Sequence, residues 1–399
     1  MDFKRPVFHD LMQRFLAKTE LIQVISGPRQ VGKTTLVKQL FQQPHWKGIY
    51  AIADGIQNDA AWIESQFNAA YIAQKQQALP VILAIDEIQK IPNWSETIKR
   101  IFDTQRFGDA PKIQCILLGS SNWLMQKGLS ESLAGRFEQW NLNHWTFNEL
   151  QSAFDITPEQ YVYFGAYPGA MSMIADEPRW TSYVKQSLIE TVINKDVLLM
   201  RNIEKPAILR RLFELGSMYS GQILSYTKMM GQLQEAKNTT TLAHYLDLLE
   251  QAGLLMGLQK FAVDHARKRS SSPKWQVMNN ALMGALSDEN FTQSQENKKR
   301  WGRLVESAVG AHLIAHQNDD LKLYYWNESN AEVDFVLQLG SMYIALEVKL
   351  SNDKVSGIGQ FQKQFKPQGL SIEQSEPLLA TTDFYGSARA VLMGFGSSR

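Results

Sequence analysis

The sequence holds a single cysteine, Cys115, in 399 residues. That excludes an intrachain disulfide and any cysteine-rich zinc site, and it fits a reducing compartment. Long hydrophobic runs are missing too; none approaches the roughly 18 residues that a membrane span needs. The opening "MDFKRPVFHDLMQRF" mixes charge with apolar residues at helical spacing and has no signal-peptide core. A cytoplasmic chain with no membrane partner is therefore expected. Neither sign of charge dominates, because 41 Lys and Arg against 40 Asp and Glu leave a net +1. No global basic field announces nucleic acid, so such binding must come from local patches. Internal repeats and low-complexity tracts are also absent.

What is present is an ordinary globular composition, 44% hydrophobic and 20% charged, over a length that suggests about two to four domains. The first 150 residues alternate short apolar runs with helical patterns: "LIQVIS" then "KTTLVKQLF", "PVILAID" then "WSETIKRIF", and "IQCILLGS" then "SESLAGRF". Buried strands separated by helices predict a mostly parallel α/β sheet. From about 155 to 257 the pattern turns helical. It then runs into the strand-like "MGLQKFAV", a polar tip "DHARKRSSSPK" and "WQVMN". Helices followed by a hairpin with a basic tip have the layout of a winged helix. The stretch "GALSDENFTQSQEN" at 284–297 reads as a linker, and an amphipathic helix, "KKRWGRLVESAVGAHLIAHQ", follows it. The resulting domain expectation is 1–150 for an α/β core, 151–205 for a helical lid or connector, 206–279 for the winged helix and 280–399 for a C-terminal α/β domain.

The stretch "GPRQVGKTT" contains G-x-x-x-x-G-K-[ST], follows an apolar strand and opens a helix. That context marks a phosphate-binding loop made of Gly27, Pro28, Arg29, Gln30, Val31, Gly32, Lys33, Thr34 and Thr35. Glycines let backbone N–H groups wrap the phosphates, and the helix N-terminus adds its positive dipole end. Lys33 suits the β and γ oxygens of ATP, and the Thr34 hydroxyl suits Mg²⁺. A second strand, "VILAIDEIQ", ends in Asp86 and Glu87, two acids that would be costly there without a purpose. Asp86 suits Mg²⁺ coordination. Glu87 suits polarising the water that attacks the γ-phosphate, which favours hydrolysis over passive binding. A third strand ends in Ser120, Ser121 and Asn122. Ser121 is placed to sense the γ-phosphate or hold the attacking water, although such hydroxyls also cap helices. Arg136 in "SLAGRF" is a candidate arginine finger for the nucleotide of a neighbouring subunit, with a plain salt bridge as the alternative.

Together "GPRQVGKTTL", "AIDEIQKIPNW", "LLGSSNWLM", "ESLAGRFEQWNLNHWTFNEL", "YFGAYPGAM", "IETVINKDV", "GRLVE", "EVDFVL" and "ALEVK" resemble the successive motifs of a group of prokaryotic AAA+ ATPases. The C-terminal half of that group was long catalogued as a domain of unknown function. The resemblance spans nearly the whole chain. It implies an AAA+ P-loop motor joined to a winged helix and a PD-(D/E)XK restriction-endonuclease-like domain, in homo-oligomers, hexameric rings among them, acting on DNA. One departure is Asn279 in "KWQVMNNAL", where an aspartate is expected after that strand.

The C-terminal stretch "AEVDFVLQLGSMYIALEVKL" at 331–350 reads as a β-hairpin. Residues two apart share a strand face, so Glu347 and Lys349 point the same way. Asp334 lies on the preceding strand, and Glu306 on the helix before it. Three carboxylates and a lysine suit a hard Mg²⁺ or Mn²⁺ ion, with Asp334 and Glu347 as ligands. Lys349 would orient the attacking water. In the resemblance these four positions match the E…D…ExK set. An edge hairpin with alternating charge on its solvent face is the plainer alternative.

The segment 259–303 holds nine Lys or Arg against four acids. Arg267, Lys268, Arg269 and Lys274 at the wing tip would lie along a DNA backbone, unless the tip is simply a solvated loop. Lys298, Lys299, Arg300 and Arg303 open the helix that bears Glu306. Nothing encodes base readout. Two function classes follow. One is an ATP-driven machine that remodels or processes DNA. The other is a nucleotide-dependent signalling or defence switch whose C-terminal part binds a protein.

Overall fold

The computed structural model describes residues 3–53, 59–76, 78–108, 112–119, 125, 128–129, 132–197, 203–233, 238–262, 271–317, 321–328, 331–340, 342–349, 357–365 and 369–374. The chain divides into two compact units, Met1–Asn143 and His144–Arg399. The first break thus falls slightly before the expected 150. Among the described residues no helix is long and apolar enough to cross a membrane.

In the first unit, β1 (Ile22–Ser26), β2 (Lys47–Ile52), β3 (Val81–Asp86), β4 (Gln114–Gly119) and β5 (Phe137–Asn141) form one sheet. All its pairings are parallel, in the order β2–β3–β4–β1–β5. It is flanked by α1 (Val7–Leu16), α2 (Lys33–Phe41), α3 (Ala60–Lys75) and α4 (Trp94–Phe107). The central strands are apolar at nearly every position because both faces of the sheet are covered. Alternate side chains part to opposite faces. Leu83, Ile85, Cys115 and Leu117 join Ile63, Phe67, Ile98 and Phe102 from α3 and α4. Ile82, Ala84, Ile116 and Leu118 join Phe8, Leu11, Leu36 and Val37 from α1 and α2. Each such large side chain contributes ~1.5–3 kcal/mol by leaving water. Burial also pushes the Cys115 thiol up, which keeps it inert.

The second unit begins with α5 (Phe147–Phe154), α6 (Pro158–Phe164) and α7 (Glu177–Tyr183), followed by π-helical turns at Val184–Ile189 and Val192–Val197. Capping boxes start α5 and α6: Thr146 pairs with Glu149, and Thr157 with Gln160. Each satisfies two otherwise orphaned backbone N–H groups. Next come α8 (Pro206–Met218), α9 (Tyr226–Gln232) and α10 (Thr239–Gln251), then an antiparallel pair, β6 (Leu255–Leu258) and β7 (Lys274–Val277). A bridge from Ile223 to Lys274 adds a third extended segment to this pair.

The segment 284–297 is not a linker. It contains the end of α11 (Ala281–Ala285) and all of α12 (Phe291–Glu296). Asn290 and Gln293 form a capping box there, and Phe291 packs against Tyr163, Phe164 and Trp301. A polar sequence still folds when its caps are paired and one aromatic anchors it.

The chain closes with α13 (Lys298–His316), β8 (Leu321–Glu328), β9 (Ala331–Leu339), β10 (Met342–Lys349), α14 (Gly357–Phe365) and β11 (Gly369–Gln374). The sheet order is β11–β10–β9–β8. The first three strands pair antiparallel and β11 adds parallel to β10. The hairpin at 331–350 is therefore present, but β10 is an interior strand with a neighbour on each side. An edge strand with a solvated charged face is not what forms.

Candidate functional sites

The phosphate loop leaves β1 and enters α2. Gly27 has φ +150° and Gly32 φ +95°, with Gln30 also left-handed at +63°. A side chain at Gly27 would overlap the backbone carbonyl of Leu142, so glycine is needed for close approach as well as for torsion. Lys33, 9% exposed, donates from Nζ to the carbonyl oxygens of Gly27 (2.9 Å) and Pro28 (2.7 Å). Its ammonium is thus folded into the loop at the head of α2, where the helix dipole also favours an anion. Arg5, which the motif does not flag, donates to the carbonyls of Val31 (3.3 Å) and Asn143 (3.1 Å) and braces the loop from outside.

The end of β3 meets this loop. Thr34 Oγ1 donates to Asp86 Oδ2 at 3.2 Å. The Glu87 amide donates to Asp86 Oδ1 at 2.8 Å, while Glu87 itself sits in left-handed backbone at φ +57°. Such torsions in a non-glycine residue cost on the order of 1–3 kcal/mol and cluster at functional sites. Gln89 Nε2 donates to Glu87 Oε2 at 2.7 Å, and Lys90 lies 3.9 Å from the same oxygen. A hydroxyl and a carboxylate so close together form the donor set a hard cation takes, so Mg²⁺ fits at Thr34 and Asp86. Tyr50 on β2 joins them unannounced. Its hydroxyl donates a short bond to Asp86 Oδ2 and lies 3.4 Å from Thr34 Oγ1. Burial, then the Asp86 carboxylate, pushes the phenol well above its usual range.

Two expectations fare differently. Ser120, Ser121 and Asn122 lie outside the described residues. Arg136 is engaged within its own unit: Nε and Nη2 grip the two oxygens of Asp103 at 2.8 and 3.0 Å. This bidentate pair lowers the Asp103 carboxyl and raises the guanidinium. A salt bridge is therefore present at Arg136. A cavity of about 800 Å³ also occurs in this unit, lined by Phe15, Trp46, Phe67, Phe102 and Cys115. It opens at the amino ends of the strands. Ligands of open parallel sheets bind at the carboxyl ends, where the phosphate loop lies.

A second site forms within the other unit, and Lys274 is its centre. Lys274 was expected at an exposed wing tip; instead it is 0% exposed. It starts β7, a strand buried at all four positions, which leaves no solvent side for its ammonium. Nζ lies 2.6 Å from Glu306, 3.4 Å from Glu332 and 3.6 Å from Asp334 Oδ1. It also donates to the Asp334 carbonyl at 3.2 Å, and it sits 5.0 Å from the Phe335 ring centre. A buried unpaired ammonium would cost several kcal/mol, which these carboxylates offset. Burial alone would lower the Lys274 ammonium, but Glu306, Asp334 and Glu332 outweigh it and raise it above its ordinary range. The Glu306 carboxyl is pushed up to about 7, by burial and the nearby Asp334 against the pull of Lys274. Glu332 shares the strand face of Asp334, two residues away, a signal the sequence did carry.

Asp334 Oδ2 accepts from the Val348 amide at 2.8 Å, so both of its oxygens are engaged. Glu347, 3% exposed, lies beside the first residue of α14, Gly357. The Lys349 side chain, and the wing-tip residues Arg267, Lys268 and Arg269, lie outside what is described. Among the described residues no three His, Cys, Asp or Glu side chains are grouped to hold a metal. With Lys274 among the acids, the donor set expected for Mg²⁺ at Asp334 and Glu347 does not fit the ion. Asn279 has a structural duty. Its Oδ1 accepts from the amides of Ala166 (2.8 Å) and Ala281 (3.1 Å), and its Nδ2 lies 3.1 Å from His144 Nδ1. With His144 Nε2 donating to the Gly253 carbonyl (3.0 Å), Nδ1 carries a lone pair. An amide can donate to it and a carboxylate cannot.

Residues 19–151 match a family described as an AAA domain. Residues 157–293 and 301–383 each match a family described as a domain of unknown function. An uncharacterized protein of Mycobacterium tuberculosis is 25% identical over 342 residues, covering 85% of this chain and 72% of its own length. Another, of Methanocaldococcus jannaschii, is 25% identical over 353 residues, covering 79% and 72%. A Walker-type ATPase of Pyrococcus abyssi aligns with a TM-score of 0.45 at 15% identity, over 71% of this chain and 95% of that one. The AAA match falls on the segment that carries Gly27, Lys33, Thr34, Asp86 and Glu87. It supports an AAA-type ATPase.

Proposed function

We propose that this chain hydrolyses ATP and uses the cycle to move or remodel double-stranded or branched DNA as a homo-oligomer, a hexameric ring by family resemblance. The observation that carries the ATPase reading is the meeting of Thr34, Asp86 and Glu87 at the mouth of the phosphate loop. Lys33 would leave the Gly27 and Pro28 carbonyls for the β and γ oxygens of ATP. Thr34 and Asp86 would hold Mg²⁺, which spreads phosphate charge when bound. Glu87, positioned by Gln89, would take the proton of the attacking water.

The DNA half of the reading rests on the second unit. The order α8–α9–α10–β6–β7, with the Ile223 bridge beside the hairpin, supports a winged helix. The order α13–β8–β9–β10–α14–β11, with Glu306 on the helix and Asp334 and Glu347 on the middle strands, supports a nuclease-like module. Lys298, Lys299 and Arg303 stand exposed at the start of α13. Cations at that end oppose the helix dipole at ~0.3–1 kcal/mol each, a cost that phosphate contacts would offset. Cleavage is not included, because Lys274 pairs with Asp334, one of the two acids expected to hold the metal.

A second reading, a nucleotide-dependent switch with a protein partner, gains from the burial of Lys274, which removes one of the four wing cations. ATP turnover measured with duplex, forked and junction DNA separates the two. The motor reading expects at least a severalfold rise with one or more of these; an unchanged rate with all of them leaves the switch.

A further inference from the structure

We propose that Lys274 is the resident cation of the Glu306–Glu332–Asp334 cluster, so that β7 acts as a plug and a divalent ion enters only if Lys274 withdraws. The inference does not depend on the ATPase reading, nor on whether the C-terminal module binds DNA.

Geometry supplies the first argument. One ammonium lies within 2.6–3.6 Å of oxygens from three carboxylates that come from α13 and β9. A divalent ion held by the same oxygens at roughly 2.0–2.6 Å would have to stand where Nζ now stands. The two cations exclude each other by volume and by charge. Enclosure supplies the second. Lys274 is 0% exposed, and β7 lies between α8 and α13, with the Phe335 ring against the ammonium. Glu306 and Glu332 keep 25% and 40% of their side-chain surface in solvent, so water meets the rim of the cluster while the ammonium stays covered beneath it. Anchoring supplies the third. Lys274 also bridges to Ile223, and Lys260, just after β6, bridges to Tyr325 on β8. The first bridge ties β7 to the segment between α8 and α9, and the second ties the β6 end of the hairpin to the αβββαβ module. Strand β7 reaches that module through the Lys274 ion pairs with Glu306 and Asp334. Any motion of the hairpin is thereby coupled to access to the acids. Charge supplies the fourth. Three carboxylates around one ammonium leave the cluster net negative, so removing the lysine would leave those charges with no counter-ion from the protein.

The test counts Mn²⁺ bound to the full-length, nucleotide-free protein, by electron paramagnetic resonance. Binding near the phosphate loop is common to all variants and subtracts out. Wild type and Asp334→Asn are expected to bind the same number of ions. Folded Lys274→Met is expected to gain one further ion per chain, at least tenfold tighter than any wild-type binding at this cluster. That ion should be lost again in Lys274→Met/Asp334→Asn. The inference is overturned if wild type binds one more ion than Asp334→Asn, since metal and lysine would then coexist. It is equally overturned if folded Lys274→Met gains none. Should Lys274→Met not fold, the wild-type and Asp334→Asn comparison decides by itself.

Discussion

Lys33 and Lys274 are both almost inaccessible, yet only the first could be read in advance. The partners of Lys33 lie five and six residues away in its own loop, so a local motif encodes its position. The Glu332 and Asp334 partners of Lys274 lie 58 and 60 residues away. Nothing around "SSSPKWQV" distinguishes a buried ammonium from a basic wing tip. Tyr50 was hidden for the same reason, since its contact with Asp86 crosses from β2 to the neighbouring β3. Glu87 was legible because an acid at the end of an apolar strand is costly without a task. Glu87→Gln should keep nucleotide affinity within a few-fold and reduce phosphate release by about 10²-fold or more. Fluorescent nucleotide titration beside single-turnover phosphate release checks this. Retained turnover would assign the proton to another group.

Among elements, the parallel strands of the first unit were the plainest in the sequence, because burial on both faces demands runs such as "VILAI". α12 was missed although its Asn-x-x-Gln cap was in view, since the surrounding polarity suggested a linker. β10 could not be assigned to the interior from its own residues. What covers it, β11, is fixed only by the sheet. The helix α10 makes a pH-dependent element. Its Glu250 carboxyl is raised from 4.5 to about 7, by burial first and by Asp247 second. Between those values the folded state holds a proton that the unfolded state has released, so stability falls as pH rises through the window and levels off above it. Glu250→Gln cannot titrate there. Its melting temperature between pH 4.5 and 7.5 should fall less steeply than that of wild type, while Glu306, also raised to about 7, keeps part of the slope. Equal slopes in scanning fluorimetry would remove Glu250 as the cause.

At the scale of the whole molecule, each unit carries its own cluster of polar side chains, the glycine loop with Thr34, Asp86 and Glu87 in one and a lysine-centred acid cluster in the other. A nucleotide-driven ring predicts that a non-hydrolysable ATP analogue raises the sedimenting mass well above that of the nucleotide-free chain. A monomer in both states would contradict the ring. The sequence by itself determined the phosphate loop, the acids at the end of β3 and the alternation of strands and helices in the first unit. Those features are written in contiguous residues, where periodicity and local backbone torsion leave one solution. Only the tertiary structure decided that Arg136 holds Asp103, that Asn279 reads the lone pair of His144, and that Lys274 stands among the carboxylates. Each depends on which distant oxygens surround a side chain once water is removed, and spacing along the chain does not encode that.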